Sequence, residues 1–331
     1  MSTRHALLRL LSDGHFHSGT DLGLALGVSR AAVCKTIKSL GETGMNIHRV
    51  TGRGYRLEQP FAPLDRQRIL TELQRLAPPS STALTLEVLE ETDSTSSHLL
   101  QGADDRGGRV CLAEVQRQGR GRRGRGRRWV ATPWHNILLS MAWRFDQGPA
   151  ALAGLSLAAG VAALHALQDY GVSGVGLKWP NDLLWGGRKL AGLLVDIRGE
   201  AAGPCSAIVG LGLNVYLDPR DADAIDQPWV DLHTLLKRTI DRNRLAALLI
   251  HHFTEMFRRF ETEGLAAFRS EWETHHCYAQ QRVCLLQGDT RIEGSVQGID
   301  DSGALLIRET SGALRCFHSG EISLRATVPP S

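Results

Sequence analysis

The sequence predicts an α+β protein of three successive units, on three observations. Helix, glycine turn, basic helix and a two-strand hairpin follow one another within residues 1–62. Apolar strands then alternate with long helices from 84 to 277, after a connector at 63–83. From 278 to 331 only short alternating strands remain, separated by Gly-Asp, Asp-Asp-Ser-Gly and Ser-Gly turns. With 331 residues, 42% of them hydrophobic, the chain can bury a sizeable core.

The first unit reads as a winged helix-turn-helix. His5–Leu11 is a short apolar-rich helix, and Ser18 and Asp21 have capping-box spacing. Gly27 breaks that second helix and Ser29 caps a third. In the third, Val33, Ile37 and Leu40 fall at i, i+4 and i+7, leaving Arg30, Cys34, Lys35 and Lys38 outward. Asn46–Val50 and Tyr55–Leu57 flank Thr51-Gly52-Arg53-Gly54 as a hairpin. Residues 1–58 carry eight Lys/Arg against four acids, a local charge of +4, while the remaining chain sums to −1. That asymmetry suits DNA, with Ser29, Arg30, Ala31, Lys35 and Lys38 on the recognition helix and Arg53 on the wing as contacts. A protein-interaction module would have the same layout.

Pro60, Pro63, a polar-basic stretch from Asp65 to Gln74 and Pro78-Pro79-Ser80-Ser81 read as the connector, with one short helix. In the central unit, strands are expected at Thr85–Leu89, Arg109–Val115, Ile137–Trp143, Val175–Trp179, Leu183–Trp185, Lys189–Ile197 and Ser206–Tyr216. Helices are expected from Pro149 to Tyr170, Asn243 to Phe260 and Leu265 to His275. The hydroxyls of Ser94, Thr95 and Ser96 cluster where a strand passes into a helix. They could cap that helix or receive a ureido or carboxyl group. Glycines 192, 210 and 212 leave room beside strands for a flat or bicyclic ligand. The final strands, from Val283 to Leu324, predict a small closed barrel without catalytic residues.

Chemistry concentrates in two segments. From Arg117 to Arg128 there are seven arginines, four glycines, one glutamine and no acid. Glycines let the backbone close around a ligand, and guanidinium forks match phosphate and carboxylate oxygens. Lys178-Trp179-Pro180-Asn181-Asp182 follows. Together they suggest activation of a carboxylate by a nucleotide; the first segment alone would also suit a flexible RNA-binding tail. No apolar run approaches the ~18 to 20 residues of a membrane span, and the N-terminus lacks a signal-peptide core. Six cysteines without a Cys-x-x-Cys pair point to reduced thiols in the cytoplasm. The histidine pairs 251/252 and 275/276 are expected at the surface rather than on a metal.

Six motifs in order then resemble those of the bacterial bifunctional biotin–protein ligases and biotin-operon repressors, over essentially the whole chain. Besides the helix-turn-helix and its Gly-Arg-Gly-Tyr wing, they are Asp-Ser-Thr (93–95), Gln116 with Gly-Arg-Gly-Arg-Arg-Gly-Arg (119–125) and Lys-Trp-Pro-Asn-Asp (178–182). Arg-Lys-Leu-Ala-Gly (188–192), Gly-x-Gly-x-Asn (210–214) and Gly-Glu-Ile-Ser-Leu-Arg (320–325) complete them. The resemblance implies a class II synthetase-like central fold and an SH3-like C-terminal barrel. It implies ATP with Mg²⁺ and biotin as reactants, giving biotinyl-5′-AMP, and transfer of biotin to a lysine of the biotin carboxyl carrier protein, with no tightly bound cofactor. Partners would be that carrier, operator DNA and a second copy of the chain once biotinyl-AMP is loaded; no membrane is involved. Lys178 and Arg122 match catalytic positions; Ser94, Thr95, Ser96, Gln116, Arg120 and Gly121 join them around biotin. Arg120, Arg122, Trp129, Asn181, Asn214 and Trp229 match nucleotide-binding positions, and Asn181 a weak metal position, with Asp182 weaker still. Three departures stand out: Ser96 where the family usually has Asn, an extra Gly-Arg pair before Trp129, and Asp196 where Glu is common. A biotin sensor without ligase activity and a lipoate- or octanoate-type ligase are the alternative readings.

Overall fold

The computed structural model describes residues 2–42, 44–76, 84–101, 108–121, 128–180, 182–200, 203–287, 290–318 and 322–326. Helices α1 (Thr3–Leu11), α2 (Gly19–Leu26) and α3 (Arg30–Glu42) lead into the hairpin of β1 (Ile47–Val50) and β2 (Gly54–Leu57). Ser18 accepts the Asp21 amide and Ser29 the Ala32 amide, satisfying donors that helix starts leave open. Val33, Ile37 and Leu40 pack with Leu7, Leu8 and Leu11, as their spacing requires. The same cluster includes Phe61 and Trp134, so this unit rests directly on the next one.

The expected connector is partly core. Its helix α4 (Arg66–Leu76) buries Ile69 completely, and Ile69 and Leu64 join the central hydrophobic cluster. Ile69 is the single buried residue of α4, too faint a stripe to read from a polar-basic sequence. Beneath the joint, Arg242 and Glu114 form an ion pair at 2.7 Å with side chains 1% and 0% exposed. Arg242 also donates to the Ala62 and Asn136 carbonyls, and Glu114 accepts the Leu64 amide. These bonds offset the cost of taking both charges out of water.

The central unit comprises β3 (Leu84–Thr92), α5 (Thr95–Leu100), β4 (Gly108–Gln116), β5 (Ile137–Phe145), α6 (Leu155–Tyr170), β6 (Val175–Lys178) and β7 (Asp182–Trp185). It continues through β8 (Arg188–Gly199), β9 (Cys205–Leu213), the short α7 (Pro219–Ala222) and α8 (Leu232–Leu236), α9 (Arg242–Glu263) and α10 (Ala266–His275). Its seven strands run in the order β3-β4-β5-β9-β8-β7-β6. β3 and β4 pair parallel and the other neighbours antiparallel. Alternation along β4 divides the two faces: Val110 and Leu112 enter the main core, whereas Cys111 packs with Leu99 of α5. α6 starts later than expected, because Pro149–Leu152 forms a 3₁₀ turn and Gly154 intervenes at φ 80°.

The last strands are β10 (Arg282–Gln287), β11 (Thr290–Ile299), β12 (Leu305–Glu309), β13 (Leu314–Phe317) and β14 (Ile322–Ala326). They form an antiparallel sheet in the order β13-β12-β11-β10-β14. Among the described residues β13 and β14 do not pair, so the closing ladder expected of a barrel is not seen. Val283, Leu285, Val296 and Ile307 merge with the central core. Among the described residues, no helix is long and apolar enough to cross a membrane.

Candidate functional site

One cleft of about 990 Å³ opens over the middle of the seven-stranded sheet, and ten of the residues matched to biotin- or nucleotide-binding positions line it. These are Ser94, Thr95, Ser96, Gln116, Arg120, Gly121, Trp129, Lys178, Asn214 and Trp229. Arg122 and Asn181 lie outside the described residues.

At one end the hydroxyl cluster is bound into a relay. Ser94 caps α5, accepting the Ser97 amide at 3.4 Å. Thr95 donates its amide at 2.7 Å and its hydroxyl at 3.0 Å to Gln116 Oε1. Ser140 of β5, fully buried, bonds Thr95 Oγ1 at 2.7 Å and Ser96 Oγ at 2.9 Å. A hydroxyl has one proton to give, so the donors run Ser96 to Ser140 to Thr95 to Gln116. The amide of Gln116 therefore keeps Nε2 as a donor for something else. The sequence motifs do not single out Ser140; its signal is a lone polar residue within the apolar run Ile137-Leu-Leu-Ser-Met. Space for the relay comes from β9, since a Cβ on Gly210 would lie 2.6 Å from Ser96 Oγ.

The cationic wall is assembled from three places. The two ends of the Arg/Gly segment meet, with Arg120 bridged to Arg128 and the Trp129 amide donating to the Gly119 carbonyl at 2.9 Å. Arg120 grips Asp196 of β8 bidentately at 2.8 and 2.9 Å, so the shorter acid at 196 reaches it. Lys178 ends β6 directly opposite Asp182 on β7, and Asp182 holds Lys189 at 2.6 Å. Trp179, 2% exposed, fixes the Lys178 backbone by donating its indole N–H to the Gly303 carbonyl at 3.0 Å.

Two tryptophans, Trp129 and Trp229, line another part of the cleft. The Trp129 indole lies against Gly212 and Gly192 so closely that a Cβ on Gly212 would overlap it, and Lys189 Nζ sits 5.6 Å from its ring centre. Trp229 is carried by a segment laid beside β8, with Lys189 donating to Pro228 and Val230 donating to Lys189. The side-chain amide of Asn214 donates to the Lys189 and Val230 carbonyls, so it fastens that segment in place.

The wall behind Lys178 is dry. Burial pushes the Cys277 thiol up to about 11, against the pull of Lys178. Burial also raises the Tyr278 phenol, with Cys277 and Asp182 adding to it. His276 corrects the surface expectation: it is 6% exposed, stacked on Trp272 at 4.5 Å, and burial lowers its pKa to about 4. Its partner in sequence ends α10, and the chain turns there to pair with Leu177. His252 bonds Asp169 at 2.7 Å, and no cluster of three or more potential metal ligands occurs among the described residues.

The second surface is the N-terminal one. Ser29, Arg30, Ala31, Lys35 and Lys38 of the recognition helix and Arg53 of the wing are all exposed. The Ser29 hydroxyl is already occupied as a helix cap.

Comparison with known proteins follows the same division. Residues 3–56 match an HTH domain, 86–214 the Biotin/lipoate A/B protein ligase family, and 281–325 the Biotin protein ligase C terminal domain. The bifunctional ligase/repressor BirA of Salmonella typhimurium is 41% identical over 97% of both chains. That of Escherichia coli is 40% identical over 97% of this chain and 96% of its own. Among solved structures, the biotin protein ligase of Aquifex aeolicus in complex with biotin and ATP is 26% identical, with a TM-score of 0.62 over 73% of this chain and 99% of that one. Winged helix, ligase cleft and C-terminal sheet each have a counterpart, in the same order and nearly end to end: the chain belongs to the family of bifunctional biotin ligase/repressors.

Proposed function

We propose that the cleft joins the carboxylate of biotin to the α-phosphorus of ATP, releasing pyrophosphate, and then passes the biotinyl group to one lysine of a biotin carboxyl carrier protein. The observation that carries this reading is the meeting, in one cleft, of a neutral hydroxyl–amide relay with a wall of cations. A ureido ring would lie on the relay, with Gln116 Nε2 donating to its carbonyl. The acid end would point to Lys178 and the Arg120–Gly121 backbone. Bringing a carboxylate to a phosphate sets two anions together, and fixed cations in a water-poor site lower that barrier. Lys178 stabilises both groups; Arg120 and Lys189, held on the carboxylates of Asp196 and Asp182, are on hand for the phosphates. In the second step the ε-amine of the carrier attacks the acyl carbon, an amide forms, and the acyl–oxygen bond to AMP breaks.

Trp129 and Trp229 flank the place for adenine, with Arg122 and Asn181 the further candidates of this end. Mg²⁺ would enter with the nucleotide phosphates as part of the substrate, since Asp182 is engaged by Lys189 and no three-carboxylate cage exists among the described residues. The six free thiols fit a reducing cytoplasm.

For repression, two adenylate-loaded copies would pair along β8. From Leu194 to Gly199 this strand is laddered only to β9 among the described residues, and Ile197 there is 39% exposed. Two winged helices would then meet a palindromic operator, its half-sites separated by roughly multiples of 34 Å. The catalytic reading is tested by biotin-dependent exchange of pyrophosphate into ATP, followed by transfer to a carrier domain. Lys178→Met should slow the exchange about 100- to 1,000-fold. Exchange with lipoate in place of biotin, or an unaltered rate in the Lys178 variant, would overturn it.

A further inference from the structure

The wing carries an arrangement that neither the ligase cleft nor the helix-turn-helix match explains. The guanidinium carbon of Arg53 lies 4.4 Å from the centre of the Phe16 ring, and that of Arg56 lies 4.9 Å from the same centre. Both guanidinium groups are thus within cation–π range of one aromatic ring. Neither arginine has a carboxylate partner among the described residues, and Arg56 Nε, although buried, has no hydrogen-bond partner. The one acid of the adjoining loop, Asp13, is already held by His17 at 3.0 Å.

The backbone holds this arrangement in place. His17 and Tyr55 exchange both hydrogen bonds at 2.9 Å, adding a short third strand to the hairpin. Antiparallel register then sets Phe16 beside Arg56, while Arg53 reaches back from the turn. Gly54, at φ 100°, lets the turn come this close, because a Cβ there would overlap the His17 carbonyl. On the far side of Tyr55 the surface continues into the recognition helix. Arg30 and Tyr55 both pack on Gly19, and Arg30 and Arg49 both lie close enough to bear on the Tyr55 phenol.

We propose that Phe16 is a positioning residue for nucleic-acid binding: its ring holds Arg53 and Arg56 as a preformed two-pronged clamp on the DNA phosphate backbone beside the groove entered by α3. The clamp rests on the reading of the N-terminal unit as operator-binding. An aromatic platform removes rotamer freedom from both arginines before DNA arrives, so fewer side chains need ordering on contact.

The test uses the full chain with biotin and ATP, and a duplex enriched by the wild-type protein from a random library. Affinity is followed across a salt series. Phe16→Leu should bind about five- to tenfold more weakly, and its log–log salt slope should shrink by about 0.9 for each phosphate that is no longer neutralised. Phe16→Tyr and Phe16→Trp should restore both, and Phe16→Leu should add nothing in an Arg53→Gln/Arg56→Gln background. Unchanged affinity and slope in Phe16→Leu, with its melting temperature unaltered, would refute the clamp while leaving operator binding intact. Equal weakening by Phe16→Leu with and without the arginines would refute it too. Failure of the wild-type chain to enrich any duplex would instead overturn the operator-binding reading, and the clamp with it.

Discussion

In the central cleft three cations are held by acids: Arg120 by Asp196, Lys189 by Asp182, and Arg117 at the rim by Glu91. On the recognition helix and wing, Arg30, Lys35, Lys38, Arg49 and Arg53 stand in water with no ion pair among the described residues. The two basic regions therefore serve different physics. A dry cleft cannot keep uncompensated cations, so carboxylates hold them in position until a substrate anion competes. A solvated surface can keep them bare, and bare charges attract a polyanion from a Debye length away. Pairing suits chemistry; exposure suits capture.

Four measurements would break or sharpen this contrast, from the largest effect to the smallest. The extreme of pairing is Glu114 with Arg242, both buried at the joint between the units. Glu114→Gln would leave a guanidinium buried without its counter-charge and should cost about 3–5 kcal/mol in urea unfolding. A loss below about 1 kcal/mol would mean that water reaches the joint.

Dryness behind Lys178 predicts a pH signature. His276 titrates near 4 in the folded chain and near 6.5 when unfolded. Between these values the unfolded chain takes up the proton, so stability is full above about pH 6.5 and falls as pH drops toward 4. The loss should be about 2 kcal/mol by about pH 5, and Phe in place of His276 should remove that part of the slope. A slope unaffected by the substitution would place His276 in contact with solvent.

Third, Asp196→Asn should release Arg120 and raise KM for biotin about tenfold, worth ~1.4 kcal/mol, with a smaller change in kcat. Asp196→Glu should restore it. If the Asn variant bound biotin more tightly, the carboxylate would be a competitor and not a holder. The smallest effect belongs to the bare surface. Lys38→Gln should weaken operator binding a few-fold and lower the salt slope by roughly 0.9, leaving pyrophosphate exchange unchanged.

Much of this is legible in the chain itself, and the legible part is local. Serine caps, the inward stripe of α3 and the closing ends of the Gly-rich arginine run act on near neighbours, so their spacing declares them. What escapes depends on partners far along the chain. Ser140 gains its place only when β5 lies under α5, and Arg242 meets Glu114 across 128 residues. The docking of Leu64 and Ile69 and the burial of His276 likewise follow from packing between elements. A helix pattern with one buried residue, or a histidine beside a turn, carries no such information. Arg122 and Asn181, both expected at the site, lie outside the described residues.

The bond from Trp179 to the Gly303 carbonyl gives the last strands a role that their lack of chemical side chains conceals. An enzyme trimmed to end after α10 would lose only Tyr278 from the described lining of the cleft. It would lose the strut behind Lys178, and Val283, Leu285, Val296 and Ile307 would no longer seal the core. Such a fragment should resemble a lock with its keyhole intact and its back plate removed, so a search for the smallest active piece should begin from the other end of the chain.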